Sequence, residues 1–347
     1  MRAGGFHTSY RSDMALFDSP LARRAVWLLF AALACAPLFA SSYWLDVLNR
    51  ICIAVIAAMG LNILTGYTGQ ISLGNAAFLA VGGYATAAMT NRFGWPFLVV
   101  IPLSGLVAAL VGMLFGIPSL RLKGLYLAMA TLAAHFIVAF AATHWESVTG
   151  GVNGIAVPSA HLFGVELGDD RRLFWLFLPL TALLLLFARN LFRTRVGKAF
   201  VAIRDQDLSA GVMGVDVFRM KLLSFAVSSF FVGVAGSLLA YQARLISPEY
   251  YPISLAIDSL GMIIVGGLGS VLGSVLGAIF VTLLPEVLRL GTSALSGSFP
   301  GMTELFASIK MGTFGLVLIL FLIYEPQGLA ASWRRLHAWW RLYPFSS

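Results

Sequence analysis

The residues best suited to chemistry lie in a stretch otherwise apolar enough for a bilayer, GLNILTGYTGQISLGNAAFLAVGGY from Gly60 to Tyr84. Asn62, Thr65, Gln70, Ser72 and Asn75 offer hydrogen-bond donors and acceptors without net charge, and Gly66, Gly69 and Gly74 interrupt the helix between them. Broken helices and free polar groups are tolerated at membrane depth only where protein or a water-filled cavity covers them. The pattern therefore suits the lining of a route for a polar or zwitterionic solute that is passed on without tight binding. The competing role for Gln70 and Asn75 is to satisfy backbone groups freed by the breaks.

A second glycine-rich run, SLGMIIVGGLGSVLGSVLGAIF from Ser259 to Phe280, repeats the device in the other half of the chain. Gly266, Gly267 and Gly269 mark the interruption. Gly269, Gly273 and Gly277 recur every four residues, which puts them on one helix face where another backbone can approach closely. Paired interruptions in two halves are a signature of transporters built around a central site. The stretch GLGSVLG lacks the strand and βαβ context of a dinucleotide site.

Other chemistry is sparse. A lone His135 in an apolar run reads as hydrogen-bonded structure, and Asp258 and Glu286 fall near span ends, so no mid-membrane charge pair for an ion-driven carrier emerges. His144 and Glu146 read as a solvated loop pair. The sequence contains no GxxxxGK[ST]; Gly197-Lys198-Ala199 lacks the upstream glycine and the hydroxyl, so ATP would have to be hydrolysed by another chain. Metal-ligand clusters, HExxH and a plausible Ser-His-Asp set are missing too, which argues against an enzyme. Cys35 and Cys52 are the only cysteines and read as buried structural thiols.

The elements that must position these residues follow from composition. With 59% hydrophobic and 11% charged residues and a mean hydropathy of +0.88, most of the 347 residues fit a polytopic membrane protein. At about 20 apolar residues per crossing the sequence predicts about ten spans, roughly 26–41, 47–65, 71–90, 96–117, 124–142, 173–188, 220–242, 252–267, 270–290 and 311–324. If the first starts inside, most Lys and Arg fall on the cytoplasmic side, so both termini are expected in the cytoplasm, with the first span as an uncleaved anchor. The net charge of +8 is then a topology signal, and its scatter among spans excludes a nucleic-acid face. The expected organisation is a cytoplasmic segment over about residues 1–25, a transmembrane domain over about 26–330 and an amphipathic tail over about 331–347, whose Trp333, Trp339, Trp340 and Tyr343 sit at the lipid interface.

Between the sixth and seventh spans, residues 189–221 carry seven basic and three acidic side chains. Val196, Phe200 and Ile203 recur at helical spacing and Asp207 can cap a second helix, so one or two short amphipathic helices are expected. They suit either a surface-lying connector or a docking element whose apolar side fits a groove on another protein.

Four separated motifs, the run from Gly60 to Tyr84, TGGVNGI from Thr149 to Ile155, VGKAFVAIRDQD from Val196 to Asp207 with Gly214 downstream, and the run from Ser259 to Phe280, together resemble the branched-chain amino acid ABC permease family, LivM-like subunits in particular. The resemblance implies a bacterial inner-membrane importer in which this subunit pairs with a LivH-like permease, two cytoplasmic ABC ATPases that bind ATP and Mg, and a periplasmic solute-binding protein that docks on loops including the segment from Thr143 to Arg172. It implies a translocation motif at Gly66 to Asn75 and an ATPase-coupling loop at Gly197, Lys198, Ala202, Arg204, Asp205, Asp207 and Gly214. Gly211 stands where the family commonly has alanine, a change that weakens a helix interior by about 1 kcal/mol. Urea, short amides and other amino acids remain open as solutes, and a self-sufficient secondary carrier is the rival from another class.

Overall fold

In lipid every backbone N–H and C=O must be satisfied by protein, so apolar runs close into helices. The computed structural model describes residues 20–119, 122–162, 165–296 and, between 312 and 342, all but 313, 314, 318, 322 and 326. Its helices are α1 (Pro20–Phe39), α2 (Ser42–Asn62), α3 (Asn75–Phe93), α4 (Phe97–Ser119), α5 (Leu125–His144), α6 (Asp170–Arg193), α7 (Arg195–Asp205), α8 (Asp207–Val212), α9 (Val217–Ala243), α10 (Ile253–Gly266), α11 (Val271–Ser296) and α12 (Leu329–Leu342). The described residues between 312 and 324 are helical as well. The segments expected before residue 20 and after residue 342 lie outside the described residues.

Among the described residues six helices are long and apolar enough to cross a membrane: Ser42–Tyr67, Phe97–Pro118, Leu125–His144, Asp170–Arg193, Val217–Ala243 and Val271–Leu290. The shortfall from about ten has local causes. α1 contributes only a shorter apolar helix, Phe30–Phe39. α3 has 19 residues, but Asn75, Thr86, Thr90 and Asn91 dilute its apolarity. α10, expected to cross at 252–267, stops after 14 residues. At 1.5 Å per residue that is about 21 Å, short of a hydrocarbon core of about 30 Å.

α2 and α9 are the hub. The apolar window of α2 is 78% buried, against 28% for α11, so α11 turns most of its surface outward. α9 packs on α2, α3 and α4. Helices in lipid gain little from burying apolar surface on one another and associate through close packing and interhelical hydrogen bonds. Here a Cβ on Gly82 of α3 would overlap the backbone of Gly233 in α9, and one on Gly236 would overlap the Leu79 carbonyl. Thr86 Oγ1 donates to Ser237 Oγ at 2.7 Å across the same crossing. In the second glycine run, Gly273 and Gly277 lie against the backbones of Gly266 and Met262, bringing α10 and α11 together.

At the far end of α9, β1 (Ile155–Ala156) pairs antiparallel with β4 (Leu245–Ile246), and β2 (Ala160–Leu162) forms a hairpin with β3 (Val165–Leu167). These short ladders qualify the all-α expectation. Cys52 is buried, but Cys35 is exposed, which corrects the reading of both as buried thiols.

Candidate functional site

The two glycine-rich breaks meet. α2 runs into a single π-helical turn, Ile63–Tyr67, and the chain then leaves helical geometry until Asn75. α10 ends at Gly266, and Gly267 to Ser270 lead into α11. Asn62 ties one break to the other: its Nδ2 donates to the Ser270 carbonyl at 2.9 Å and to Ser274 Oγ at 2.7 Å, and its Oδ1 accepts from the Gly269 N–H at 2.9 Å. Gly66 lies directly against this knot, because a Cβ there would overlap Asn62 Oδ1 and the Gly269 nitrogen.

The remaining polar residues of the first break mostly hold it in shape. Thr65 Oγ1 donates to the Gln70 carbonyl at 3.1 Å, and the Gln70 N–H reaches the Leu64 carbonyl at 3.1 Å. Gln70 Nε2 donates to Ser224 Oγ at 2.8 Å, fastening the break to α9. Ser72 Oγ accepts from the Gly74 N–H at 3.2 Å, and the Leu73 N–H donates to Thr131 Oγ1 of α5 at 2.9 Å. Asn75 differs: its Nδ2 is buried without a hydrogen-bond partner among the described residues.

α7 and α8 sit under this junction. Thr194 caps α7 by accepting from the Gly197 N–H at 3.4 Å, and Gly197 allows the tight turn because a Cβ would overlap Phe192 and Leu191 backbone atoms. Phe192 stacks on Tyr67 of the π-turn with ring centroids 3.4 Å apart. Phe200 and Ile203 are buried, so the apolar side of α7 faces the bundle rather than outward. Arg204 Nη1 donates to the Gly66 carbonyl at 3.3 Å, while Nε and Nη2 each reach Asp205 Oδ1 at 3.0 Å. Gly69 has φ +72°, a left-handed backbone that favours glycine, and a Cβ there would stand 3.2 Å from Arg204 Cγ. One guanidinium thus lies beside both breaks, since Arg204 Nη1 would also stand 3.0 Å from a Cβ on Gly269.

The exposed apolar side of the loop belongs to α8 and the turn after it. Leu208, Val212 and Met213 are 74%, 88% and 84% exposed, next to exposed Gly211 and Gly214. Gly211 falls at the end of α8, where its carbonyl accepts from the Gly214 N–H at 3.0 Å, so its low helix propensity matters little. Lys198 is exposed and Ala202 half-buried on α7. Asp207 receives Lys123 Nζ at 2.6 Å and Lys221 Nζ at 3.3 Å, joining the turn before α5, α8 and α9. The Lys123 hydrogen bond, supported by Lys221, holds the Asp207 carboxyl below its ordinary value. A cavity of about 300 Å³ opens here, bounded by Gly69, Gln70, Lys123, Ile203, Arg204 and Asp207.

Of the residues singled out from the sequence, Asn62, Gly66, Gly69, Gly269 and Arg204 come together at one junction. Thr65, Gln70, Ser72 and Gly74 hold the first break, and Gly266 and Gly267 end α10. Sequence reasoning missed Ser270 and Ser274, which partner Asn62, and Ser224, Thr131, Lys123 and Lys221. The i, i+4 spacing of Ser270 and Ser274 inside the glycine stripe was the available signal.

Residues 43–322 match the family described as branched-chain amino acid transport system / permease component. The high-affinity branched-chain amino acid transport system permease protein LivM of Escherichia coli is 33% identical over 317 residues, covering 84% of this chain and 71% of that protein. LivM of Salmonella typhimurium is 32% identical over the same length and coverage. A probable LivH of Methanocaldococcus jannaschii is 25% identical over 298 residues, covering 81% of this chain and 90% of that protein. With its paired breaks and, among the described residues, six long apolar helices, this chain belongs to the branched-chain amino acid transport permease family.

Proposed function

We propose that this chain is one permease subunit of an ATP-driven importer of branched-chain amino acids, paired with a LivH-like subunit in a bacterial inner membrane. Two ABC ATPases on the cytoplasmic side supply ATP and Mg chemistry, and a solute-binding protein delivers cargo to the loops around residues 143–172. The chain crosses about ten times, with α1, α3, the helical residues before 324, and α10 continued by the non-helical Gly267–Ser270 adding to the six long spans. Both termini and residues 189–221 face the cytoplasm.

The observation that carries this reading is the placement of Arg204. It links a loop suited to docking with the two breaks suited to a path, so a displacement of α7 is felt at Gly66 and Gly269 without an intermediate. Exposed Leu208, Val212 and Met213 on α8 form a compact apolar knob for a groove on an ATPase. Alternating access then consists of ATP-driven movement of α7 and α8, rearrangement of the junction and release of solute through the cavity beside Asp207.

The test is purification of the tagged chain in mild detergent, identification of its companions by mass spectrometry, and reconstitution into liposomes. A second permease and a P-loop ATPase should co-purify, and leucine, isoleucine or valine should accumulate only with ATP and binding protein. Transport by this chain alone, driven by an ion gradient and indifferent to ATP, would refute the reading.

A further inference from the structure

Apart from Asn75, the polar side chains of the first break are engaged, but two buried ones in the groove between α3 and α5 are not. Tyr84 Oη and His135 Nδ1 have no hydrogen-bond partner among the described residues. Tyr84 is 7% exposed and His135 5%. Both line a cavity of about 10 Å³, room for about one water. Its other walls are Ala77 and Ala80 from α3, Val138, Ala139 and Ala142 from α5, and Pro248 and the phenol of Tyr251 from the segment after β4. Buried polar groups are normally satisfied, so two exceptions facing one cavity need an explanation.

α5 connects this cavity to the larger one. Leu127 borders the cavity beside Asp207, Thr131 receives the Leu73 N–H at 2.9 Å, and His135 borders the smaller cavity. Leu127, Thr131 and His135 follow one another at intervals of four along one buried stripe, about 12 Å from first to last. The broken segment Ser72–Gly74 lies at the middle of that stripe, with Gly74 close enough that a Cβ would stand 3.1 Å from the Thr131 carbonyl. It separates the cavities as a plug, and it is continuous with Gly69 and Gln70, which Arg204 and Ser224 hold.

We propose that the groove between α3 and α5 is the solute's resting place inside the membrane, closed in this conformation. Tyr84 and His135 hydrogen-bond the ammonium and carboxylate groups, and the alanine walls take the aliphatic side chain. A phenol hydroxyl and an imidazole can each donate or accept, which suits a zwitterion without imposing a fixed charge. The small alanine walls leave room for the groove to widen when α3 and α5 part and the Ser72–Gly74 plug withdraws. This assignment rests on the reading of the chain as an amino acid importer.

The experiment uses the whole transporter reconstituted with its ATPases and leucine-loaded binding protein, and compares wild type with Tyr84→Phe and His135→Leu. Tyr84→Phe removes only a hydroxyl that has no partner among the described residues, and His135→Leu removes an unpartnered Nδ1 while keeping an apolar side chain in place, so assembly should be retained in both and the rate of thermal inactivation of Tyr84→Phe unchanged or improved. ATP-driven leucine uptake should fall roughly tenfold in each, the loss of one hydrogen bond to a charged group. In a Cys35→Ser/Cys52→Ser background, Ala80→Cys should react with a small thiol reagent during ATP turnover and be silent without ATP. Full uptake in both variants, or a thiol at Ala80 that never reacts during turnover, overturns the proposal and leaves a pocket for one structural water. Wild-type liposomes that import no branched-chain amino acid refute the functional reading itself, whatever the variants do.

Discussion

Replacing Leu208, Val212 and Met213 together by serine separates the two roles, docking and transmission, proposed for the loop between α6 and α9. The three side chains are 74%, 88% and 84% exposed, so their removal takes little from the fold of the subunit. Seated in a groove, each large aliphatic side chain is worth about 1.5–3 kcal/mol of burial, roughly 4.5–9 kcal/mol for three. Ordering and desolvation at an interface consume much of that, and a net loss of about 3 kcal/mol is a realistic value. That is about a hundredfold weaker association. The assay is titration of purified ATPase onto the detergent-solubilised permease pair, with the fraction bound read by size-exclusion chromatography. Arg204→Ala is the matched contrast. Its guanidinium points at the Gly66 carbonyl, so the variant should keep its ATPases yet hydrolyse ATP with little uptake. The family resemblance places Arg204 and Asp205 in the coupling loop without separating docking from transmission. Tight binding by the triple serine variant, or loss of binding by Arg204→Ala with uptake otherwise coupled, would refute the division of labour between α8 and α7.

Three further outcomes follow from the geometry. Asn62→Leu strands the Gly269 N–H, at about 1–3 kcal/mol, and takes one partner each from the Ser270 carbonyl and the Ser274 hydroxyl, which keep each other, so the thermal inactivation half-life in detergent should shorten roughly tenfold; an unchanged half-life would show that the knot contributes nothing. Gly277→Val would drive a branched side chain into the Met262 carbonyl and push α10 from α11, so properly inserted protein, measured by fluorescence-detected chromatography, should fall sharply, whereas Gly94→Asn, at an αL helix end with open space around it, should be tolerated. Asp207 has its folded-state pKa depressed by Lys123 and Lys221, so its contribution is present above the ordinary carboxylate value of 3.8 and is lost as pH falls through the lower folded value. The stability gap between wild type and Asp207→Asn should therefore be constant around neutrality and close only in acid below 3.8, as read by thermal inactivation across that range.

Hydropathy and glycine spacing made the helices and the two breaks legible, because both are local properties. Asn62 was visible as a polar residue in an apolar run, but its partners lie more than 200 positions away, at Gly269, Ser270 and Ser274. No periodicity reports such a pairing. The same limit applies to α7. Val196, Phe200 and Ile203 define an apolar side, but amphipathicity does not say what covers it, and the membrane helices do. The outward side had to be read from Leu208, Val212 and Met213, which follow Gln206, where the chain turns from α7 into α8. α10 was expected to cross because the run from Pro252 continues apolar through Gly267. Only the turn through Gly267 and Gly269, with φ of +117° and +69°, reveals a half-length element. His135 carried the opposite surprise, since a lone histidine on an apolar helix suggests a satisfied side chain and Nδ1 is not.

The contact of Arg204 with Gly66 also constrains the energetics of the cycle. Under the proposed function, a single junction that touches both the docking loop and the path cannot respond to one without biasing the other. Linkage makes that bias symmetric: whatever factor ATP binding imposes on the opening of the path, an open path imposes on the affinity of the ATPases for ATP. Under that reading Arg204 is a toll gate with traffic in both directions, and cargo resting in the groove between α3 and α5 should be detectable as a tighter grip on nucleotide at the ATPases.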